Sequence, residues 1–226
     1  MRPFYFGGQK NDKETLIFTG IVQAMGVVIS CDQVAGVVNL VVDVGHLSSG
    51  VETGASIAIN GVCLTVVSVE NGIVEFQMVS ETTSLSNLGR LSAGSQVNVE
   101  RSYRVGDEVG GHVLSGHVAC TAEVVKVVRT IGHQLIYMAV AEQWMAYLFD
   151  KGFVALNGTS LTIAEIDREK RTIAVSLIPE TLERTIFRSV AVGDAINLEI
   201  DSRTQAVVET VREVLADKAF ITSLSK

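Results

Sequence analysis

The chain has 226 residues, enough for two cores of about 90 to 100 residues each, and 47% of them are apolar, as in ordinary globular proteins. A formal charge of -7 without a basic cluster argues against nucleic acid as a partner, since nonspecific affinity for phosphate backbones comes mainly from Lys and Arg. The longest apolar runs, such as Val37 to Asp43, stop far short of the ~20 residues of a membrane span.

Residues 1–17 carry Lys10, Asp12, Lys13 and Glu14 without an apolar segment and do not resemble a secretion signal. Cys31, Cys63 and Cys120 are odd in number and widely spaced, which fits neither a disulfide framework nor a zinc site, so a reducing cytoplasm is expected. Short apolar alternations between Gly, Asn and Asp turns predict strands over 21–30, 37–44, 55–59, 62–69, 73–79 and 96–101, with counterparts in the second half. Each half therefore reads as a small antiparallel barrel or sandwich. Short helices are predicted over 82–88, 141–149 and 180–187. From Thr204 to Ala219 good helix formers continue without Gly or Pro, with Val207, Val211, Val214 and Lys218 forming a narrow stripe. That stripe fits either a seam between neighbouring subunits or a helix packed on its own barrel.

The halves repeat one another. Asn60-Gly61-Val62-Cys63-Leu64-Thr65-Val66 returns 97 residues later as Asn157-Gly158-Thr159-Ser160-Leu161-Thr162-Ile163. Phe18 to Val22 aligns with Leu114 to Val118 at a spacing of 96, and Ser80 to Thr82 and Gly94 to Glu100 align with Pro179 to Thr181 and Gly193 to Glu199 at 99. Solenoid and propeller units recur every ~20 to 50 residues. The longer period here is that of a domain, and the two Asn-Gly pairs predict tight turns with positive φ.

Residues two apart on a strand share a face, so Cys63 and Thr65 lie opposite Val62, Leu64 and Val66, and Ser160 and Thr162 repeat the arrangement. One face fills a barrel; the other presents a thiol or hydroxyl beside a hydroxyl. His112 and His117 are five apart, which puts them on opposite faces of a regular strand with no carboxylate or Cys nearby to complete a metal set. His117 replaces Ile21 of the first repeat, and an imidazole is a natural general acid or base near neutral pH.

Phe18-Thr19-Gly20-Ile21-Val22-Gln23, the Asn60 heptad, Asn87-Leu88-Gly89, Gly94 with Val97-Asn98 and Glu100-Arg101, Gly111-His112 with Ser115-Gly116-His117, and Ser160-Leu161-Thr162 together resemble the riboflavin synthase family, alpha-chain type. The resemblance runs from Phe18 to about Leu215. It implies an all-β fold of tandem duplicated six-stranded antiparallel Greek-key barrels with a C-terminal α-helix. The expected divisions are an extension at 1–17, lumazine-binding barrels at 18–107 and 108–202, and a trimerisation helix and tail at 203–226. The family forms cytoplasmic homotrimers through that helix, with lumazine synthase as a further expected partner.

Its reaction turns two molecules of 6,7-dimethyl-8-ribityllumazine into riboflavin and 5-amino-6-(ribitylamino)uracil by moving a four-carbon unit, without cofactor or metal. Two barrels then supply two pockets for two copies of one substrate, and holding both in register is worth up to ~7 to 11 kcal/mol. The resemblance places catalytic roles on Ser56, Cys63 and His117, and substrate contacts on Phe18, Thr19, Thr65, Glu81, Lys151, Ser160, Thr162 and Asp201. Departures are the 17 residues ahead of Phe18, Ala119 where many members have Asp, and Asn157 where some have Asp. The competing expectation is a non-catalytic lumazine or flavin carrier, but such carriers erode the polar motif residues that are intact here.

Overall fold

The computed structural model describes residues 18–34 and 36–217. The first half contains β1 (Ala24–Val34), β2 (Val37–Asp43), β3 (Ser56–Ile59), β4 (Val62–Glu70), β5 (Ile73–Met78), α1 (Ser80–Leu85) and β6 (Gln96–Arg101). The second repeats the series as β7 (Cys120–Thr130), β8 (His133–Ala139), β9 (Phe153–Leu156), β10 (Thr159–Asp167), β11 (Thr172–Leu177), α2 (Pro179–Arg184) and β12 (Ala195–Ile200). The chain then enters α3 (Ser202–Ala216).

Both sets of six strands close into antiparallel barrels, in the order β1-β2-β5-β4-β3-β6 and the equivalent β7-β8-β11-β10-β9-β12. Strands β3, β4 and β5 form successive hairpins, and β5 returns against β2, the Greek-key arrangement expected from the resemblance. Each barrel is filled from its own alternating residues. Leu40, Val42, Ile57, Ile59, Val74 and Phe76 fill the first, and Ile136, Met138, Val154, Leu156, Val175 and Phe187 fill the second.

The predicted short helices stop earlier than expected, for a local reason. Ser86 and Thr185 adopt extended backbone after α1 and α2, and their hydroxyls donate to the carbonyls of Thr82 and Thr181 four residues back. The remaining turns, Asn87–Arg90 and Ile186–Ser189, are 3-10. The segment expected as a helix over 141–149 is a 3-10 turn at Glu142–Tyr147. There the Arg168 guanidinium donates to the carbonyls of Met145 and Leu148, taking the place of further helical bonds. Strand β1 starts at Ala24, not at residue 21, because the chain ahead of it reaches toward the second barrel.

The two Asn-Gly turns meet at the centre of the molecule. Asn60 and Asn157 have φ of 47° and 43°, followed by Gly61 at 79° and Gly158 at 75°, a left-handed pair suited to a two-residue hairpin. Each Asn side chain accepts the N–H of the facing strand's Asn98 or Asn197, both at 2.8 Å. Those two asparagines in turn donate across the interface, Asn98 Nδ2 to the Asn157 carbonyl and Asn197 Nδ2 to the Asn60 carbonyl, both at 2.9 Å. The repeated motif therefore builds the pseudo-two-fold joint as well as the hairpin.

On α3 no residue is buried, and Asp201 caps its N-terminus by accepting from the N–H groups of Arg203 and Thr204. Val208 rests on the second barrel, and Arg212 donates to the Tyr147 hydroxyl at 2.7 Å. Val207, Val211 and Val214 face away, 63%, 51% and 38% exposed, so the stripe is not used against this chain's own barrel. Lys218 lies outside the described residues.

Candidate active site

The outward face of β3 and β4 carries Ser56 opposite Thr65 and Ala58 opposite Cys63. The equivalent face of β9 and β10 carries Phe153 opposite Thr162 and Ala155 opposite Ser160. Between them, Ala58, Ala155, Phe18 and Leu114 form a small apolar plug against which Cys63 packs. Phe18 and Leu114 exchange both backbone hydrogen bonds at 2.9 Å.

That bridge begins a crossing. After Phe18, the Gly20 carbonyl accepts the N–H of Ser160 in the second barrel at 2.8 Å; after Leu114, the Gly116 carbonyl accepts the N–H of Cys63 in the first at 3.0 Å. Both contacts require glycine. A Cβ on Gly20 would lie 2.5 Å from the Ser160 Cβ, and one on Gly116 would lie 2.6 Å from the Cys63 Cβ. A buried carboxylate secures each crossing segment. Glu100 accepts from Thr19 N, Thr19 Oγ1 and Gly20 N at 2.7, 2.8 and 3.1 Å. Glu199 accepts from Ser115 N and Oγ at 2.7 and 2.9 Å and from Gly116 N at 3.2 Å. Burial raises both carboxyls above their ordinary range against these bonds, Glu100 to about 7.

Four of the expected site residues gather at the first barrel. Ser56 is buried and hydrogen-bonds the Cys63 thiol, Thr65 lies across from it, and His117 follows the Gly116 that covers Cys63. Burial pushes the thiol up, the Ser56 bond pulls it partly back, and the nearby Glu199 charge raises it further. Cys63 is therefore mainly a protonated thiol, unlike the depressed thiolates of reactive cysteine sites.

At the second barrel, Ser160, Thr162 and Asp201 adjoin two residues that the sequence reading did not select, His112 and Phe153. His112 Nδ1 lies 2.6 Å from Ser160 Oγ, and its ring stacks on Phe153 at 5.1 Å between centroids. With Asp201 and Arg203, both line a cleft of about 260 Å³. Contrary to the expectation of a regular strand, residues 109–119 are irregular apart from the Leu114 bridge, with His112 buried and His117 exposed.

Lys151 stands at the edge of β10, where its N–H bonds the Ile163 carbonyl and its Nζ bonds the Ala164 carbonyl. Gly54 makes the same backbone bond, to Val66, in the first barrel. Lys151 holds φ of 60° where its counterpart is a glycine, a conformation that L side chains adopt infrequently. Phe18 is 1% exposed within the plug, and Thr19 gives its hydroxyl to Glu100. Glu81 is exposed on the first turn of α1. The repeat offered a signal for Glu100 and Glu199, matching acids at the next-to-last positions of β6 and β12. For His112 it offered none, because the aligned residue is Leu16, which lies outside the described residues.

A lumazine binding domain matches residues 19–102 and again 115–201. A riboflavin synthase of Escherichia coli is 44% identical over 202 residues, covering 88% of this chain and 94% of that protein. The chain belongs to the riboflavin synthase family. Another member, the riboflavin synthase of Chlamydia pneumoniae, is 37% identical over 201 residues, covering 88% of this chain and 98% of its own. The same two-barrel fold recurs in LumP complexed with 6,7-dimethyl-8-(1'-D-ribityl) lumazine, at a TM-score of 0.74 and 22% identity over 82% of this chain and 99% of LumP. Family membership gives the doubled polar faces a chemical context, because the domain that matches twice is one that binds lumazine.

Proposed function

We propose that this chain is a cytoplasmic riboflavin synthase, a transferase that moves a four-carbon unit between two molecules of 6,7-dimethyl-8-ribityllumazine. The observation that carries the reading is the duplicated outward face with unequal chemistry: Ser56, Cys63 and Thr65 on one barrel, Ser160 and Thr162 on the other. Two similar pockets suit two copies of one substrate, and their differences assign donor and acceptor. Riboflavin and 5-amino-6-(ribitylamino)uracil together contain the atoms of the two lumazines, so the reaction balances without an added oxidant or reductant.

In this mechanism His117 assists proton removal from the acidic C7 methyl of the donor or from a later intermediate. Ser56 and Cys63 supply or activate the nucleophile that adds at C7 of the acceptor; the protonated state of Cys63 fits a group that gives a proton as well as one that adds. Thr65 and Thr162 bind ring edges, and Ser160, Lys151 and Asp201 contact the ribityl chain or polarise the second ring. Phe18, Thr19 and Glu81 complete the first pocket. The first barrel of one subunit faces the second barrel of another in a homotrimer. The exposed Val207, Val211 and Val214 stripe on α3 supports that assembly, with lumazine synthase as a further partner.

Incubation with the lumazine tests the reading, as its fluorescence gives way to that of riboflavin. Ser56→Ala and Cys63→Ser are expected to slow turnover by about 10²-fold or more while lumazine binding persists. Unchanged rates in both variants remove these groups from the mechanism. A stable one-to-one lumazine complex without turnover identifies a carrier instead.

A further inference from the structure

The two buried acids act across the joint. Glu199 on β12 pairs with Ala155, which pairs with Ser160, so this acid shares a row with the central hydroxyl of the second barrel. Its hydrogen bonds lead elsewhere. Glu199 accepts from Ser115 N and Oγ and from Gly116 N, and the Gly116 carbonyl accepts the N–H of Cys63 in the first barrel. Glu100 mirrors it: its row runs through Ala58 to Cys63, whereas the segment it holds, Thr19 and Gly20, covers Ser160.

A carboxylate as buried as Glu199 is costly unless its oxygens are filled by donors. Every hydrogen bond drawn to it is one it accepts, the pattern of an ionised group. What those bonds hold is the segment that leads to His117. The Ser115 hydroxyl donates to Glu199 and accepts the N–H of His117 at 3.3 Å. Gly116 presses on the first barrel so closely that a Cβ there would lie 2.9 Å from Cys63 N. Residues 115–119 belong to no strand, so these bonds set where the cover lies. The charge reaches the site as well: burial raises the Cys63 thiol, the Ser56 bond lowers it and Glu199 raises it further, while the charge of His117 works against the burial that raises Glu199.

We propose that Glu199, on the second barrel, is a positioning residue of the first lumazine pocket: it fixes the segment 115–117 over Cys63 and so sets where the thiol and the His117 imidazole stand relative to each other. The inference rests on the proposed function in taking Cys63 and His117 as reactive groups. Glu100 does the same for the cover over Ser160, so each pocket is braced from the opposite barrel.

The test compares Glu199→Ala and Glu199→Gln with Glu100→Ala and Glu100→Gln in the full chain, because the two acids are 5% and 4% exposed and differ in the pocket they brace. Two quantities are read: kcat and KM for 6,7-dimethyl-8-ribityllumazine, and the pH dependence of iodoacetamide modification at Cys63, resolved from Cys31 and Cys120 by peptide mass. Glu199→Ala should lower kcat about tenfold or more with KM within about threefold, since a small misplacement of reacting groups costs rate more than binding. Glu199→Gln, whose amide oxygen still accepts from Ser115, should recover most of kcat. Both Glu199 variants should speed Cys63 modification by about threefold at about pH 8, because the negative charge beside the thiol is gone. Both Glu100 variants should leave the Cys63 profile as in the parent. If Glu100→Ala moves that profile as much as Glu199→Ala does, or if Glu199→Ala retains kcat, the acid is a structural residue and the proposal fails. Thermal unfolding identifies a variant that does not fold, and if Glu199→Ala is one, the two Gln variants decide by the Cys63 profile. If the unsubstituted chain binds lumazine without turnover, the proposed function fails, while the Cys63 profile still tests whether Glu199 governs the cover.

Discussion

Gly61 and Gly158 approach each other where the two Asn-Gly turns meet, and this predicts an unusually large effect of adding one methyl group. A Cβ on Gly61 would lie 2.5 Å from the backbone nitrogen of Gly158 and 2.7 Å from its Cα. The obstacle is backbone on both sides, so no side chain can swing away. Two costs add in Gly61→Ala: placing a side chain at φ of 79°, about 1 kcal/mol, and forcing the packed turns apart, about 1 to 3 kcal/mol. The separation also strains the Asn98 and Asn197 bonds that cross the joint. Gly94→Ala is the control, since Gly94 has φ of 87° but nothing within 4 Å of the added carbon, leaving only the backbone cost.

Urea unfolding followed by circular dichroism and by Trp144 fluorescence should therefore show Gly61→Ala less stable than Gly94→Ala by about 1 to 3 kcal/mol. Gly158→Ala should match Gly61→Ala, and the double variant should lose less than the sum, because the first methyl group already opens the gap. If Gly61→Ala and Gly94→Ala fall within about 0.5 kcal/mol of each other, the close approach does not govern the joint.

Three further outcomes are expected. Because Glu100 titrates at about 7 when folded, above its ordinary 4.5, it binds a proton more tightly in the folded state; its contribution to stability is full below 4.5 and is lost as pH rises through 7. The stability difference between the parent and Glu100→Gln should therefore change by up to about 3 kcal/mol between pH 4.5 and 8, and a flat difference refutes the assignment. Asn157 Nδ2 is buried without a partner, whereas the equivalent Asn60 Nδ2 donates to Asn87 Oδ1, the difference being Ile186 at the position that matches Asn87. Asn87→Ile should cost about 2 to 4 kcal/mol and Ile186→Asn less than 1 kcal/mol, as read by denaturant midpoints; the reverse order would show that this amide is not the limiting group. Val211→Glu on the exposed face of α3 should reduce the sedimentation mass to that of a single chain without altering the circular dichroism, and an unchanged mass removes the helix from the assembly contact.

The strand faces were legible in the sequence because Cys63 and Thr65 alternate with Val62, Leu64 and Val66 at a period of two, and burial follows that alternation. The turns at Asn60 and Asn157 were legible because few residues adopt positive φ readily. Local patterns could not show the crossing. Phe18 finds Leu114, Glu100 holds Thr19, and His112 reaches Ser160, all pairings set by how two closed barrels meet. Strand β1 was placed too early for the same reason, since Ile21 has strand-like neighbours but belongs to the crossing segment. The helix expected near Trp144 failed because its closing carbonyls, those of Met145 and Leu148, are held by Arg168 from 23 and 20 residues further along the chain.

The crossing also sets the order in which the protein can be completed during synthesis. Once Arg101 has emerged from the ribosome, every strand of the first barrel is available. Its leading segment can already be tied by Glu100 at Thr19 and Gly20, but two contacts are missing: Phe18 awaits Leu114, and the Gly20 carbonyl awaits Ser160. The cover over Cys63 arrives with Gly116 but is fastened by Glu199, near the end of the second barrel. At about 5 to 20 residues per second, the nascent chain spends several seconds with one barrel closed and its reactive face uncovered. Neither pocket is completed by its own barrel alone, and a chain that ends after the first repeat lacks the cover over Cys63.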